Sequence, residues 1–355
     1  MKSTAENISI QIPARVCLFG DHQDYLKLPV IAAAINRYIT LTAQSISEPY
    51  FKIQLPDIHQ KRSIDLQHTI DELPPNDYFL SGIKWFQEQG VVFQQGYQIT
   101  ISSDIPINAG LSSSSALVVA WIRFLLLIQN KISRPSDLEI GKIAHQVEVS
   151  HFNQPGGIMD QYTISQGGML YINTTTRDCT FLPKSLNHLV IAESGIEKKT
   201  LQVLLKAKTY ALEAAQQVQK KHPNFDLLQS SVSDYGKYKD LVSQKLQPYW
   251  YATIHNYSIT LKAKTILQKA PMNQQQIGKL INQHQDILQS CIQNTPIEMQ
   301  HQIQSALRAG ALGAKTVGSG GGGCIVALAT QKTKNNVIQA FLDAGSKNAY
   351  PIEIV

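Results

Sequence analysis

The segment Asn108-Ala109-Gly110-Leu111-Ser112-Ser113-Ser114-Ser115 has the composition of an anion cradle. Small residues with free backbone N–H groups at a helix start can surround a negative group, helped by the helix dipole and by hydroxyl donors. Capping a helix needs one serine, so four in a row point beyond capping to phosphate. A second stretch, Gly20-Asp21-His22-Gln23-Asp24, follows the apolar run Val16–Phe19. Its Asp21, His22 and Asp24 either hydrogen-bond several ligand hydroxyls, as sugar recognition requires, or form a polar turn with an aspartate cap. A third, Pro155 to Gln161, contains Asp160 behind the paired Gly156 and Gly157. Asp160 is there a base or a helix N-cap. Glu148 lies one position past Val147, at the edge of a helical apolar stripe, and is a rim carboxylate or a metal ligand. His145, Glu148 and His151 are spaced three apart, which no zinc-helix motif uses.

These residues need elements to hold them. Tyr97–Ser103 alternates apolar and polar residues as a half-buried strand does. Ser115–Ile128 reads as a nearly all-apolar buried helix, so the serine segment joins a strand to a helix. Ser136 and Glu139 form a capping box for a helix whose buried stripe is Ile140, Ile143, Ala144 and Val147. Further strands are expected at Met169–Ile172, Leu189–Ala192 and Cys324–Ala329, and helices at Leu201–Lys221, Gln275–Gln289 and Ile297–Ala309. Residues 226–270, rich in Gln, Lys and Tyr, read as mostly helical surface. The irregular alternation of strands and helices suggests an α+β protein.

Seven of the 21 glycines fall between Gly310 and Gly323. Gly318-Ser-Gly320-Gly-Gly-Gly323 matches G-x-G-x-x-G, but a strand-like CIVALA follows it, so the dinucleotide reading fails on context. A P-loop fails too, because Ala314 stands where a glycine should precede Lys315. The run is a flexible linker or a place where backbone or ligand approaches closely; the apolar elements flanking it favour the second.

The chain has 355 residues, 43% hydrophobic and 16% charged, which suggests two domains and ample core. A net charge of +6 is compatible with anionic ligands and too thin to argue for nucleic acid. No signal-peptide h-region is visible at the N-terminus. The longest apolar stretch, Ala116 to Ile128, is 13 residues with Arg123 inside it, too short for a bilayer. Cys17, Cys179, Cys291 and Cys324 are scattered, against a zinc site or a disulfide framework and compatible with a reducing cytosol. The expectation is a cytoplasmic protein with no nucleic-acid or membrane partner, a monomer or weak dimer.

Taken together, PARVCLFGDHQDY, PINAGLSSSSALVVA and GAKTVGSGGGGCIVAL resemble, in that order, the GHMP small-molecule kinases, the family of galactokinase, homoserine kinase, mevalonate kinase and phosphomevalonate kinase. EVSHFNQPGGIMDQ resembles the galactokinase branch. The resemblance implies an α+β two-domain GHMP kinase fold, with a ribosomal-S5-like α/β domain over 1–175 for nucleotide and sugar and a ferredoxin-like α+β domain over 176–355. It implies ATP and Mg²⁺, with Asn108, Ala109, Gly110, Leu111, Ser112, Ser113 and Ser114 around the phosphates, Gly320 and Gly321 also among the cofactor-binding residues, and the Gly318–Gly323 loop supporting the phosphate loop. Ser114 and Glu148 would hold the metal. Asp160 would take or orient the acceptor's proton, with Arg15 nearby. Asp21, His22, Asp24 and Gly157 would bind the substrate. The implied reaction is phosphoryl transfer to a monosaccharide or sugar acid, at the anomeric hydroxyl. Departures exist: Asp21 stands where the branch has Glu, Gln23 where it has Thr, and Lys206 about where it has a tyrosine. The alternatives are a mevalonate-kinase-like enzyme, which the glycine run favours and Asp24 opposes, and a sugar and nucleotide sensor without catalysis, which Arg15, Glu148 and Asp160 oppose.

Overall fold

The structure, a computed structural model, describes residues 7–184, 186–198 and 200–355. The chain divides into two units, the first formed by Met1–Ala14, Asn36–Ile107 and Ser112–Gly167, the second by Arg15–Ile35, Asn108–Leu111 and Gly168–Val355.

The first unit contains strand residues from β1 (Asn7–Phe19) and β2 (Val30–Ile46), with β3 (Tyr50–Leu55), β4 (Gln60–Asp65) and β5 (Gly96–Ser103). Ile39–Ile46 of β2 runs antiparallel to β5, β3 lies parallel to β5, and β4 closes the order antiparallel to β3. Along β5 the expected alternation holds: Tyr97, Ile99 and Ile101 are buried and the residues between them are partly exposed. Four helices are described in this unit: α1 (Tyr78–Glu88), α2 (Ser113–Ile128), α3 (Asp137–Glu148) and α4 (Met159–Gln166). Helix α2 begins two residues before the expected Ser115, because Ser112 takes the N-cap position. Its apolar residues bury on most sides, and Trp121 and Phe124 meet the ring of Phe51 edge-on at 5.6 and 5.7 Å. Ser136 and Glu139 form the capping box of α3, each side chain bonding the other's backbone N–H.

Helices α3 and α4 touch through Gly141. A Cβ there would lie 2.6 Å from the Ser165 hydroxyl and 3.2 Å from the Tyr162 Cα. Glycine therefore lets α4 lie directly on α3. That packing fixes the end of one helix, Glu148, relative to the start of the other, Asp160.

In the second unit, Val30–Ala33 of β2 pairs with β6 (Met169–Asn173), which pairs with β7 (Asp178–Leu182). A separate antiparallel sheet has the order β11-β8-β10-β9, from β8 (Leu189–Glu193), β9 (Gly313–Thr316), β10 (Cys324–Leu328) and β11 (Asn348–Ile352). The helices are α5 (Thr200–Lys221), α6 (Val232–Tyr238), α7 (Gln247–Leu267), α8 (Gln274–Ile287), α9 (Ile297–Arg308) and α10 (Lys334–Asp343). Val190, Ala192, Ile325 and Ala327 of the sheet pack on Met299, Ile303, Val337 and Phe341 from α9 and α10.

The 226–270 region corrects the expectation of helical surface. Helix α7 is a core element, with Trp250, Ile254 and Ala263 at most 1% exposed. Its buried set also includes Thr253, Asn256 and Thr260, so apolar residues never form the single stripe that marks an amphipathic helix. Among the described residues, no helix is long and apolar enough to cross a membrane.

Candidate active site

In the first unit, Ser112 opens α2 with a left-handed backbone (φ 61°) and makes no side-chain cap. Its hydroxyl instead donates to Asp160 Oδ2 at 2.5 Å. This accounts for a serine beyond those a cap needs. Asp160 stands in the first turn of α4 and is half-buried.

Glu148 ends α3 at 7% exposure. It accepts a hydrogen bond from Gln161 Nε2 at 2.7 Å, and Gln161 also reaches the Ser115 hydroxyl at 3.4 Å. Burial raises the Glu148 carboxyl above its ordinary value; hydrogen bonds from Gln161, Ser115 and Ser114 oppose this, and the charge of Asp160 adds to it. Ser113 and Ser114 are the first residues of α2, with Ser114 exposed. Gly157 lies in the irregular segment just before α4.

The hard oxygens of Ser114 and Glu148 suit Mg²⁺, and a cation there would relieve both the burial of Glu148 and its repulsion with Asp160. Among the described residues, no three His, Cys, Asp or Glu side chains gather as a metal cage. A metal at Glu148 would therefore take its other ligands from hydroxyl, water and substrate oxygens.

In the second unit, Arg15 on β1 is 4% exposed. Its Nη1 donates to the Gly110 carbonyl at 2.6 Å and its backbone N–H to the Leu111 carbonyl at 3.2 Å. Asn108 and Gly110 are left-handed, with φ of 54° and 89°. Ala109 accepts a hydrogen bond from the Cys324 N–H at 2.8 Å, and a Cβ on Gly323 would lie 2.6 Å from the Ala109 oxygen. The glycine run thus supports the 108–111 loop from beneath, as a place of close approach rather than a linker. The contact falls on Gly323 and Cys324. Within the same run, Gly320 and Gly321 sit against Asn294, whose carbonyl accepts the Gly321 N–H at 2.6 Å.

The turn after β1 is tied closely into the fold. Asp21, expected to bind substrate, is 2% exposed. Its Oδ2 accepts from Lys315 Nζ at 2.7 Å and its Oδ1 from the Gly318 N–H at 2.7 Å. Both oxygens have partners within the fold, so Asp21 anchors the turn. Burial alone would raise its carboxyl, yet the charge and hydrogen bond of Lys315 hold it below the ordinary value. His22 is also enclosed: Nε2 lies 3.0 Å from the Ser319 carbonyl and Nδ1 lies 3.2 Å from the Tyr25 hydroxyl. Burial lowers its imidazole, leaving it neutral. Gln23 accepts from Thr260 of α7 at 2.9 Å. Asp24 is half-buried at the start of a short turn, its Oδ1 accepting from the Tyr25 N–H at 2.8 Å.

Sequence reasoning missed Lys315 and Thr260. All four residues of β9 are buried, and a lysine stays buried there only when paired.

Three family models match the chain: the GHMP kinases N terminal domain over residues 77–168, the GHMP kinases C terminal domain over 267–347, and the galactokinase galactose-binding signature over 3–45. A galactokinase of Thermococcus kodakarensis is 28% identical over 332 residues, covering 89% of this chain and 87% of that protein. A mevalonate kinase of Thermococcus gammatolerans is 26% identical over 351 residues, covering 94% and 92%. Among solved structures, the galactokinase of Lactococcus lactis complexed with galactose superposes with a TM-score of 0.84 at 23% identity, over 98% of this chain and 94% of the other. The mevalonate kinase of Methanococcus jannaschii gives 0.73 at 20% identity, over 99% and 100%. At these identities the structural likeness is one of fold.

Proposed function

This chain belongs to the GHMP kinase family, on its galactokinase-like branch, and we propose that it transfers the γ-phosphoryl group of ATP, with Mg²⁺, to the anomeric hydroxyl of a monosaccharide or sugar acid. The observation that carries the reading is Asp160 held by the Ser112 hydroxyl at the serine segment. Ser112 bonds Oδ2 by a charge-assisted bond that orients the carboxylate, and Asp160 receives the acceptor's proton. The acceptor oxygen then bonds the γ-phosphorus, the bond to the β,γ-bridging oxygen breaks, and ADP leaves.

Most of the remaining work is positioning. Asn108 and Gly110 have left-handed backbone, the conformation that alternates with ordinary φ in anion-binding nests. Arg15 ties down the Gly110 carbonyl, keeping that loop in shape and placing a buried positive charge beneath it. Ser114 and Glu148 would hold Mg²⁺, which when bound supplies positive charge against the phosphates. Asp21, His22, Asp24 and Gly157 are the residues the family resemblance assigns to the sugar, with Asp24 half-buried on its turn. Asp21 and His22 set the turn that carries Asp24.

The test is ADP release with ATP and Mg²⁺ across monosaccharides, sugar acids and mevalonate. Turnover with a sugar and not with mevalonate is expected. For Asp160→Asn we expect turnover about 100-fold lower or worse, with nucleotide binding kept, since a positioned base contributes roughly 10²–10⁴-fold. Preference for mevalonate, silence across the panel, or an Asp160→Asn enzyme of nearly full activity would overturn the reading.

A further inference from the structure

The segment after β8, Ser194-Gly-Ile-Glu-Lys198, is clasped by the glycine run. The Ser194 N–H donates to the Gly323 carbonyl at 2.9 Å, and the Gly323 N–H donates to the Ile196 carbonyl at 3.1 Å. A Cβ on Gly322 would lie 2.6 Å from the Glu197 carbonyl oxygen. The backbone that presents Lys198 is therefore fixed on both sides of Gly323, the residue that also supports Ala109.

The ammonium of Lys198 rests where two glycines lack side chains. It is 2.7 Å from the position a Cβ would take on Gly110 and 3.4 Å from the corresponding position on Gly318. One of these belongs to the 108–111 loop and the other to the glycine run. Any side chain at Gly110 would displace the ammonium. Glycine at that position thus does two things: it supplies the left-handed backbone and it leaves room for a cation.

We propose that Lys198 is a phosphate-contacting catalytic residue, whose ammonium binds the terminal phosphate of the nucleoside triphosphate at the 108–111 loop. The inference deepens the kinase reading above and rests on it. A lysine is a compact point charge with three donors on a flexible stem, suited to follow a phosphoryl group as its charge moves. In phosphoryl transfer, cations near the equatorial oxygens act mainly on the transition state. The charge of Lys198 already reaches the turn after β1, where, behind burial, it helps lower the His22 imidazole. Sequence reading passed over Lys198 because it stands beside Glu197 and Lys199 in what looks like an ordinary charged loop.

The experiment compares Lys198→Met and Lys198→Arg with the wild type by calorimetric titration with MgADP and with a non-hydrolysable Mg-triphosphate analogue, and by steady-state kinetics with the best sugar. For Lys198→Met we expect the triphosphate analogue to bind about tenfold to a hundredfold more weakly, the range of one charge-assisted hydrogen bond. MgADP affinity and the sugar KM should be unchanged and kcat should fall by a similar factor, with Lys198→Arg recovering part of both. Unchanged binding of the analogue, or equal weakening toward MgADP and the analogue, overturns the assignment. If the wild type turns over no sugar, the functional reading fails, while the two titrations still decide the role of Lys198.

Discussion

Glu148 is where burial and charge oppose each other most directly. Its carboxyl is raised first by burial and then by Asp160, against hydrogen bonds from Gln161, Ser115 and Ser114. A carboxylate whose folded pKa lies above its unfolded value favours the protonated form. It stabilises the fold at low pH, and that contribution is lost as pH rises through the raised value. A bound cation reverses the preference, because only the ion coordinates, so metal uptake expels a proton. The Mg²⁺ concentration for half-maximal turnover should therefore rise as pH is lowered from about 8 to about 5, toward tenfold per unit below the raised pKa. Mg²⁺ titrations at each pH measure this, and a flat requirement would remove Glu148 from the metal site. Glu148→Gln should lose the pH dependence together with most of the activity. The position of Glu148 was legible in the sequence, one residue past Val147 on a helix with a clear cap. Its burial was not, because that depends on α4 pressing on Gly141. The bond from Ser112 to Asp160 was equally hidden, since the two stand 48 positions apart and serine next to a helix start ordinarily caps it.

Among the elements, the glycine run shows how context decides what a motif is. Its composition fitted a linker, a dinucleotide loop or a phosphate loop; the strand that follows and the helix before it left a place of close approach. The structure has that close approach at Gly323, whose backbone is left-handed at φ 88° and whose missing Cβ would meet the Ala109 carbonyl. Gly323→Ala should be strained by about 1–3 kcal/mol and should push the 108–111 loop out of place. We expect the KM for ATP to rise about tenfold, with the sugar KM little changed, if roughly half of that strain is released by moving the loop. Gly236→Ala is the matching control. That glycine lies in α6, where an added Cβ meets nothing within 4 Å, and the change should stabilise the protein by about 0.5–1 kcal/mol with activity intact. Kinetics and denaturant unfolding of both variants separate a loop effect from a general glycine effect. An ATP KM unmoved by Gly323→Ala would refute the support role.

For the molecule as a whole, what the sequence yielded was contiguous: capped helices, alternating strands and motifs of at most sixteen residues. What it withheld depends on residues far apart. Helix α7 reads as polar surface until its Thr260 is seen bonding Gln23, 237 positions away. The pair of Asp21 and Lys315 spans 294 positions, and neither side chain is exposed. Lys315 also donates to the carbonyls of Cys17 and Thr316, at 3.2 and 2.7 Å, so its donors are matched inside the fold. His284 beside it is driven down to about 3, chiefly by burial and then by Lys315, and stays neutral. Removing either ion leaves the other buried without its counter-charge, a loss of about 3–5 kcal/mol for a pair of this kind. Lys315→Met and Asp21→Asn should each show this loss in denaturant unfolding. The double variant should recover a large part of it, since no uncompensated charge remains. The pH dependence fixes the sign independently. Asp21 is held below its ordinary value, so its contribution is present above the unfolded carboxylate pKa and fades as pH falls through the folded one. The wild type should therefore lose more stability on acidification than Asp21→Asn does. Parallel acid profiles would mean that the pair adds nothing, and additive losses in the double variant would mean that the two residues act separately.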